Sequence, residues 1–107
     1  GRPRVEPNFI RTLVDRMVEV QDADSVAAMQ ALSQLLGRRV GPSTGTNFVA
    51  MLELAGEMRQ RGEQGSILSL LCDAGERYLP TYFDPAWVQE RFGDCAPARA
   101  RVDALLA

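Results

Sequence analysis

Apolar residues recur at steps of three and four along two stretches of the chain, which is the spacing of one face of an α-helix. The first stretch begins at Asp22, a candidate N-cap, and stops before Gly37, so it predicts a helix over residues 22–36. The second predicts a helix over residues 45–61 that ends before Gly62. The predicted buried faces consist of Val26, Met29, Leu32, Leu35 and Leu36 in the first helix and of Phe48, Met51, Leu52, Ala55 and Met58 in the second.

Shorter apolar runs precede and follow these helices. Residues 67–72 are apolar except for Ser69, and a continuous run of this length is typical of a strand that is buried on both faces of a parallel sheet. Two further short strands are predicted over residues 17–20 and 38–41, with a helical turn over 10–18 as the alternative at the first position. The order strand, helix, strand, helix, strand predicts right-handed crossovers and an α/β fold. Because three parallel strands would leave an apolar edge open, we expect them to be part of a larger sheet.

The two ends of the chain show weaker patterns. Residues 1–9 are predicted to form a loop because Pro3 and Pro7 lack a donor N–H. The predicted C-terminal elements are an aromatic-rich helical region that stops at Pro80 and restarts near Asp84, a loop over residues 93–98 and an amphipathic helix over 99–107. We therefore expect residues 1–107 to form a single segment, with a core over about 10–92 and a tail over 93–107.

The composition excludes several kinds of chemistry. All 12 basic residues are arginine, and the sequence contains no histidine and no lysine. A histidine general base, an imidazole metal ligand and a Schiff-base lysine therefore cannot come from these residues. The 14 acidic residues give a formal net charge of −2, which argues against nucleic acid as a partner.

The lengths of the apolar stretches and the number of cysteines indicate where in the cell the protein acts. No apolar stretch is long enough to span a bilayer or to form a signal peptide, so we expect no membrane partner and a cytoplasmic location. Cys72 and Cys95 are too few for a disulfide framework and lack metal-ligand spacing, so no metal site is predicted. Cys72 lies in an apolar run without a base to activate it, which favours a buried, unreactive thiol.

Two polar loops follow predicted strands and carry the candidate chemistry. Residues 41–47 read Gly-Pro-Ser-Thr-Gly-Thr-Asn, and residues 73–78 read Asp-Ala-Gly-Glu-Arg-Tyr. Loops at the carboxyl ends of neighbouring parallel strands meet at one crevice, where ligands bind, and the N–H groups that open the following helix can bind an anion. A structural alternative stays open at both loops: Ser43 or Thr44 caps the helix in the first, and Asp73 caps a turn in the second.

Three segments, taken in chain order, match motifs of one enzyme family. Residues 1–7, Gly-Arg-Pro-Arg-Val-Glu-Pro, are similar to a glycine-rich segment, residues 41–47 to a G-(I/G/P)-S-(S/T)-G turn, and residues 70–79 to a D-S-G-E-R-Y-L ending. The last match is the most specific. Over about residues 1–92 the chain thus resembles the C-terminal part of the cysteine synthase and cystathionine β-synthase family, pyridoxal-phosphate enzymes of fold type II.

The resemblance implies a fold, a cofactor and a set of contacts. The fold is a mainly parallel, three-layer α/β/α sheet, of which this chain would be the C-terminal segment, and the cofactor is pyridoxal 5′-phosphate. In the family, the serine of D-S-G-E-R-Y hydrogen-bonds the pyridine nitrogen; here that position is Ala74, whose methyl group neither donates nor accepts. The other positions that the resemblance assigns to cofactor binding are Asp73, Gly75, Gly1, Ser43 and Thr44.

The resemblance also implies an activity for the complete enzyme. That activity is β-replacement or β-elimination on a small serine- or cysteine-type amino acid, as in bacterial cysteine synthases and L-cysteine desulfhydrases. The family's Schiff-base lysine and phosphate loop have no match here, so we expect a C-terminal fragment without catalytic residues of its own. We also expect a homodimer or association with an N-terminal part. The alternative is a non-catalytic α/β segment that keeps the fold as a partner-binding or structural module.

Overall fold

The computed structural model describes residues 6–107, and within them the regular structure is helical. The α-helices are α1 (Asp22–Leu36), α2 (Pro42–Gln60), α3 (Pro85–Phe92) and α4 (Ala96–Leu106), and two 3₁₀ turns cover Arg11–Leu13 and Gly75–Tyr78. Gly1 and most of the glycine-rich motif lie outside the described residues.

Helix α1 has the predicted bounds. It ends because Gly37 adopts a left-handed backbone conformation, with φ of 67°, and its N–H donates to the carbonyl oxygen of Ser33. Asp22 is the first helical residue rather than the predicted cap, since Gln21 occupies the N-cap position without a side-chain hydrogen bond. Asp22 and Asp24 still favour the first turn, because negative charge is stabilised at the positive end of the helix dipole.

Helix α2 begins three residues earlier than predicted. Residues 42–47, which the sequence predicts to lie largely in a loop, form its first turns. Pro42 occupies the first helical position, where a missing N–H costs no intrahelical hydrogen bond. Gly45 is buried because α1 crosses there: an added Cβ would overlap the carbonyl oxygen of Ser25 and lie 2.8 Å from the backbone nitrogen of Met29. Gly45, which suggests a turn in the sequence, therefore allows the close contact between α1 and α2.

The core lies where α1, α2 and α4 meet. Its buried side chains are Ala27, Ala28 and Ala31 of α1, Phe48, Val49 and Leu52 of α2, and Ala98 and Val102 of α4. On α1, the predicted face is correct for Val26 and Met29, which are buried, but wrong for Leu35 and Leu36, which are 62% and 47% exposed. The small side chains of the buried alanines explain the difference, because they let α2 and α4 approach α1 closely. The buried face of α1 is therefore not the face that carries the stripe of large apolar residues.

None of the three predicted strands is present between residues 6 and 107. Residues 17–20 and 67–72 have no regular secondary structure, and residues 38–41 contribute only Val40, which forms a single antiparallel bridge with Ala74. Side chains that were predicted to be buried are exposed there, with Met17 at 65% and Leu68 at 95%. A strand needs a neighbouring strand to pair its N–H and C=O groups, and the described part of the chain offers these runs no such neighbour.

The C-terminal region is more helical than predicted. Asp84 caps α3, as the predicted restart implies, because its carboxylate accepts a hydrogen bond from the backbone N–H of Ala86 at 3.0 Å. The predicted loop over 93–98 is too long, since α4 begins at Ala96, whose N–H donates to the carboxylate of Asp94. The described helices are too short or too polar to cross a membrane.

Gly45→Ala should destabilise the protein by about 1–3 kcal/mol, because the added methyl group overlaps the backbone of α1. Gly56→Ala is the matched control in the same helix: a Cβ there meets nothing within 4 Å, so the higher helix propensity of alanine should stabilise the protein by about 0.5–1 kcal/mol. Urea unfolding followed by circular dichroism measures both free energies. Equal stability of the two variants would contradict the close crossing of α1 and α2.

Candidate functional site

The two polar loops of the sequence lie against each other in the structure. Ala74 forms the antiparallel bridge with Val40, and the N–H of Gly75 donates to the carbonyl oxygen of Arg39 at 3.1 Å. One turn into α2, the hydroxyl of Thr44 accepts a hydrogen bond from the backbone N–H of Cys72 at 3.0 Å. The start of α2 and the turn at residues 73–75 therefore form one unit, which we call the docked turn.

Two glycines make this approach possible. A Cβ on Gly75 would lie 2.6 Å from both the carbonyl carbon of Arg39 and the backbone nitrogen of Val40. A Cβ on Gly41 would lie 2.7 Å from a carboxylate oxygen of Asp73. Gly75 has no room for a side chain because backbone atoms surround it, whereas the atom nearest to Gly41 belongs to a side chain. The backbone around Gly75 therefore fixes where the docked turn can lie.

Asp73 is held in place by two donors. The hydroxyl of Tyr78 donates to its Oδ2 at 2.6 Å, and the guanidinium of Arg77 donates to the same oxygen at 3.2 Å. These bonds hold the pKa of Asp73 below its usual value, Tyr78 contributing first and Arg77 after it. The same hydrogen bond raises the pKa of Tyr78, and partial burial adds to that increase. The ionised carboxylate of Asp73 therefore joins the docked turn to the 3₁₀ turn that follows it.

The residues predicted to bind a cofactor have different surroundings in this unit. Ala74 and Ser43 are exposed, so the methyl group of one and the hydroxyl group of the other are accessible to a ligand. Thr44 is only 2% exposed and its hydroxyl bonds Cys72, while Gly75 is buried against Arg39. The structure thus divides these positions into an accessible pair and a supporting group.

Of the described positions that the resemblance assigns to pyridoxal phosphate, Ala74 and Ser43 are the exposed ones that a cofactor could contact directly. Asp73 would contribute indirectly, because its carboxylate is bonded to Arg77 and Tyr78 of the following 3₁₀ turn. A lysine for the cofactor's aldehyde is not among the 107 residues.

Sequence reasoning missed three features of this region. The bond between Tyr78 and Asp73 has no signal in the spacing of the two residues. Asp73 does not cap the 3₁₀ turn, whose N-cap position is Ala74. Cys72 is exposed rather than buried, with the side-chain amide of Asn47 3.7 Å from its sulfur, because no strand among residues 6–107 covers the run in which it lies.

Tyr78→Phe should raise the pKa of Asp73 toward its ordinary value of 3.8, because the shorter of its two hydrogen bonds is lost. Since folding lowers this pKa, the ionised carboxylate of Asp73 stabilises the folded protein fully above its ordinary value of 3.8. This contribution is lost as the pH falls through the lowered pKa. The variant should therefore begin to unfold at a higher pH on acidification. Carbon-detected NMR titration of the Asp73 carboxyl group measures the shift.

Tyr82→Phe is the matched control for this change. The ring of Tyr82 lies 5.6 Å from that of Tyr78, but its hydroxyl makes no hydrogen bond to Asp73. Its removal should leave the pKa of Asp73 unchanged. If both variants shift that pKa equally, the hydrogen bond from Tyr78 is not what lowers it.

Comparison with known proteins gives the family. The model of the pyridoxal-phosphate dependent enzyme family matches residues 2–73. The chain is 53% identical over 104 residues to L-cysteine desulfhydrase Cds1 of Mycobacterium tuberculosis, which covers 96% of this chain and 28% of that protein. It is 34% identical over 73 residues to the cysteine synthase of Aquifex aeolicus, covering 68% and 22% of the two chains. It is 33% identical over 73 residues to cysteine synthase B of Pseudomonas aeruginosa, covering 67% and 23%. No solved structure gives a significant match.

The chain spans about a quarter of the length of these curated relatives. The matches confirm the similarity to cysteine synthases and L-cysteine desulfhydrases that the motifs at residues 41–47 and 70–79 indicate, and with it pyridoxal phosphate as the cofactor of the family. The matched range includes Ser43, Thr44 and Asp73 and ends one residue before Ala74. The chain belongs to the pyridoxal-phosphate dependent enzyme family.

Proposed function

We propose that this chain is part of an enzyme that uses pyridoxal phosphate for β-elimination or β-replacement on cysteine- or serine-type amino acids, with removal of sulfide from L-cysteine as its main reaction. The observation that carries the proposal is the docked turn, in which Ala74 is held exposed on a backbone fixed by Gly41 and Gly75. Similarity to an L-cysteine desulfhydrase over 96% of the chain supports the choice of reaction.

The described residues would shape one side of the cofactor site. Pyridoxal phosphate, when bound, supplies the electron sink that such reactions on amino acids require. Ala74 would pack beside the ring and exclude water there without making a hydrogen bond, while the hydroxyl of Ser43 would donate one. Asp73 would hold the turn rigid through Tyr78. The Schiff-base lysine would come from residues other than these 107.

The exposed apolar runs support a larger α/β assembly. Between the segment at residues 16–18, helix α2 and residues 67–70 lies a groove of about 400 Å³ with mostly apolar walls. Leu68 and Leu70, on one wall, are 95% and 71% exposed. We infer that residues 17–20 and 67–72 pair as strands of a three-layer α/β/α sheet when other parts of the enzyme complete and cover it. The chain would then form one segment with a core over about 10–92, act in the cytoplasm and associate as a homodimer.

A non-catalytic module is the second candidate, and the side chain at position 74 favours it. The resemblance assigns Ala74 to the position where the family serine hydrogen-bonds the pyridine nitrogen, so that bond would be lost while the turn that holds the position remains. A segment kept for its fold alone would show this combination.

The full protein, purified with pyridoxal phosphate and given L-cysteine, should release sulfide and pyruvate in equal amounts. Sulfide is measured colorimetrically, and pyruvate by its reduction with lactate dehydrogenase. Supply of O-acetylserine with sulfide tests the replacement reaction in parallel. Formation of cysteine without pyruvate would assign the protein to synthesis instead, and a protein that binds no cofactor would support the non-catalytic module.

Ala74→Ser should tighten binding of pyridoxal phosphate to the full protein by about 2–10-fold, the effect of one added hydrogen bond. Cofactor affinity is measured by fluorescence titration of the cofactor-free protein. Ala100→Ser is the control, because Ala100 is an exposed alanine on α4. An unchanged affinity in Ala74→Ser would contradict the position of residue 74 beside the ring.

A further inference from the structure

A second cavity, of about 640 Å³, lies between the C-terminal end of α1 and the segment that joins the docked turn to α3. Arg38, Arg39 and Glu76 contribute charged groups to its lining, and Phe83 contributes an aromatic ring. None of the described residues predicted to bind the cofactor lines it. A cavity of this size, with one aromatic wall and convergent polar groups, has the properties of a small-molecule site.

The charged groups of this cavity are unpaired among residues 6–107. Arg38 and Glu76 make no ion pair and no side-chain hydrogen bond there, and the guanidinium of Arg39 contacts only the ring of Phe83, at 5.9 Å. Elsewhere in the described chain, the arginines whose guanidinium groups donate hydrogen bonds are Arg11, Arg16, Arg59, Arg61, Arg77, Arg99 and Arg101. The cavity is thus lined by two positive groups and one negative group that form no ion pair with each other.

Two neutral polar groups of the same cavity already have partners. The side-chain amide of Gln30 donates to the carbonyl oxygen of Tyr82, and the hydroxyl of Ser33 donates to the carbonyl oxygen of Met29. The ionic recognition available to a ligand consists of two guanidinium groups for an anion and one carboxylate for a cation. Gly37, which ends α1, also lines the cavity, and the negative end of a helix dipole favours a cation there.

We propose that this cavity binds a free α-amino acid with an apolar side chain. Its carboxylate would pair with Arg38 and Arg39, whose planar guanidinium groups suit a carboxylate, and its ammonium group with Glu76. Its side chain would lie against Phe83. Phosphate suits the cavity less well, because Glu76 and the helix end repel a dianion. The proposal rests on this cavity alone and does not depend on the proposed enzymatic function.

Isothermal titration calorimetry of the full protein, with three probes, tests the recognition of both charges. L-leucine carries both groups, 4-methylpentanoate lacks the ammonium group, and isopentylamine lacks the carboxylate. We expect L-leucine to bind at least about ten-fold more tightly than either analogue, since each loses a charged hydrogen-bonding pair. Equal affinity for 4-methylpentanoate, competition by inorganic phosphate, or no binding of L-leucine would overturn the proposal.

Variants locate the binding in this cavity. Arg38→Gln and Glu76→Gln should each weaken L-leucine binding by about ten-fold, and both residues are exposed, so the fold should be kept. Arg61→Gln and Glu63→Gln are the matched controls, because these exposed residues pair with each other away from the cavity. An amino acid bound at a catalytic centre would be unaffected by all four changes. Wild-type affinity in Arg38→Gln and Glu76→Gln would therefore contradict the proposal while leaving the proposed function intact.

Discussion

The contact between the backbone at residues 39–41 and the turn at 73–75 is the constraint on which the candidate site depends. Gly75 meets the backbone of Arg39 and Val40 at distances that a single methyl group would prevent, and Gly41 lets the carboxylate of Asp73 approach. The bridge between Val40 and Ala74 and the bond from Thr44 to Cys72 then join the start of α2 to the turn. Two regions more than thirty positions apart in sequence become one rigid unit in this way.

Stability outside this unit comes mainly from the packing of α1, α2 and α4. The ion pairs around these helices lie at the surface, such as Arg16 of the preceding segment to Glu57 of α2 and Arg101 of α4 to Asp24 of α1. Exposed pairs of this kind contribute little, because water and salt screen them. The apolar runs at residues 17–20 and 67–72 are therefore held less firmly than the helices beside them, and their order depends on whatever covers them.

How much the sequence predicts depends on whether the deciding contact is local. The bounds of α1 follow from local signals, above all Gly37 in its left-handed conformation. The predicted start of α2 is wrong because Gly45, which by itself indicates a turn, is required instead by the close crossing of α1 at Ser25. The strands are absent from the described residues for a similar reason. An apolar run favours a buried strand, but only a neighbouring strand supplies the hydrogen bonds that a strand needs. The bond between Tyr78 and Asp73 is likewise set by how the 3₁₀ turn closes.

The backbone position of residue 74 does not depend on the chemistry of its side chain. Every contact that places it involves backbone or neighbouring side chains: the bridge to Val40, the bond from Gly75 to Arg39, and the closure of Asp73 by Tyr78. None of them uses the side chain of Ala74 itself. A change between serine and alanine there should consequently leave the backbone where it is and alter only the hydrogen-bonding capacity of the side chain. Hydrogen bonds to ring nitrogens are one of the means by which a protein tunes a bound cofactor, so under the proposed function this chain would keep the position and lose that means of tuning.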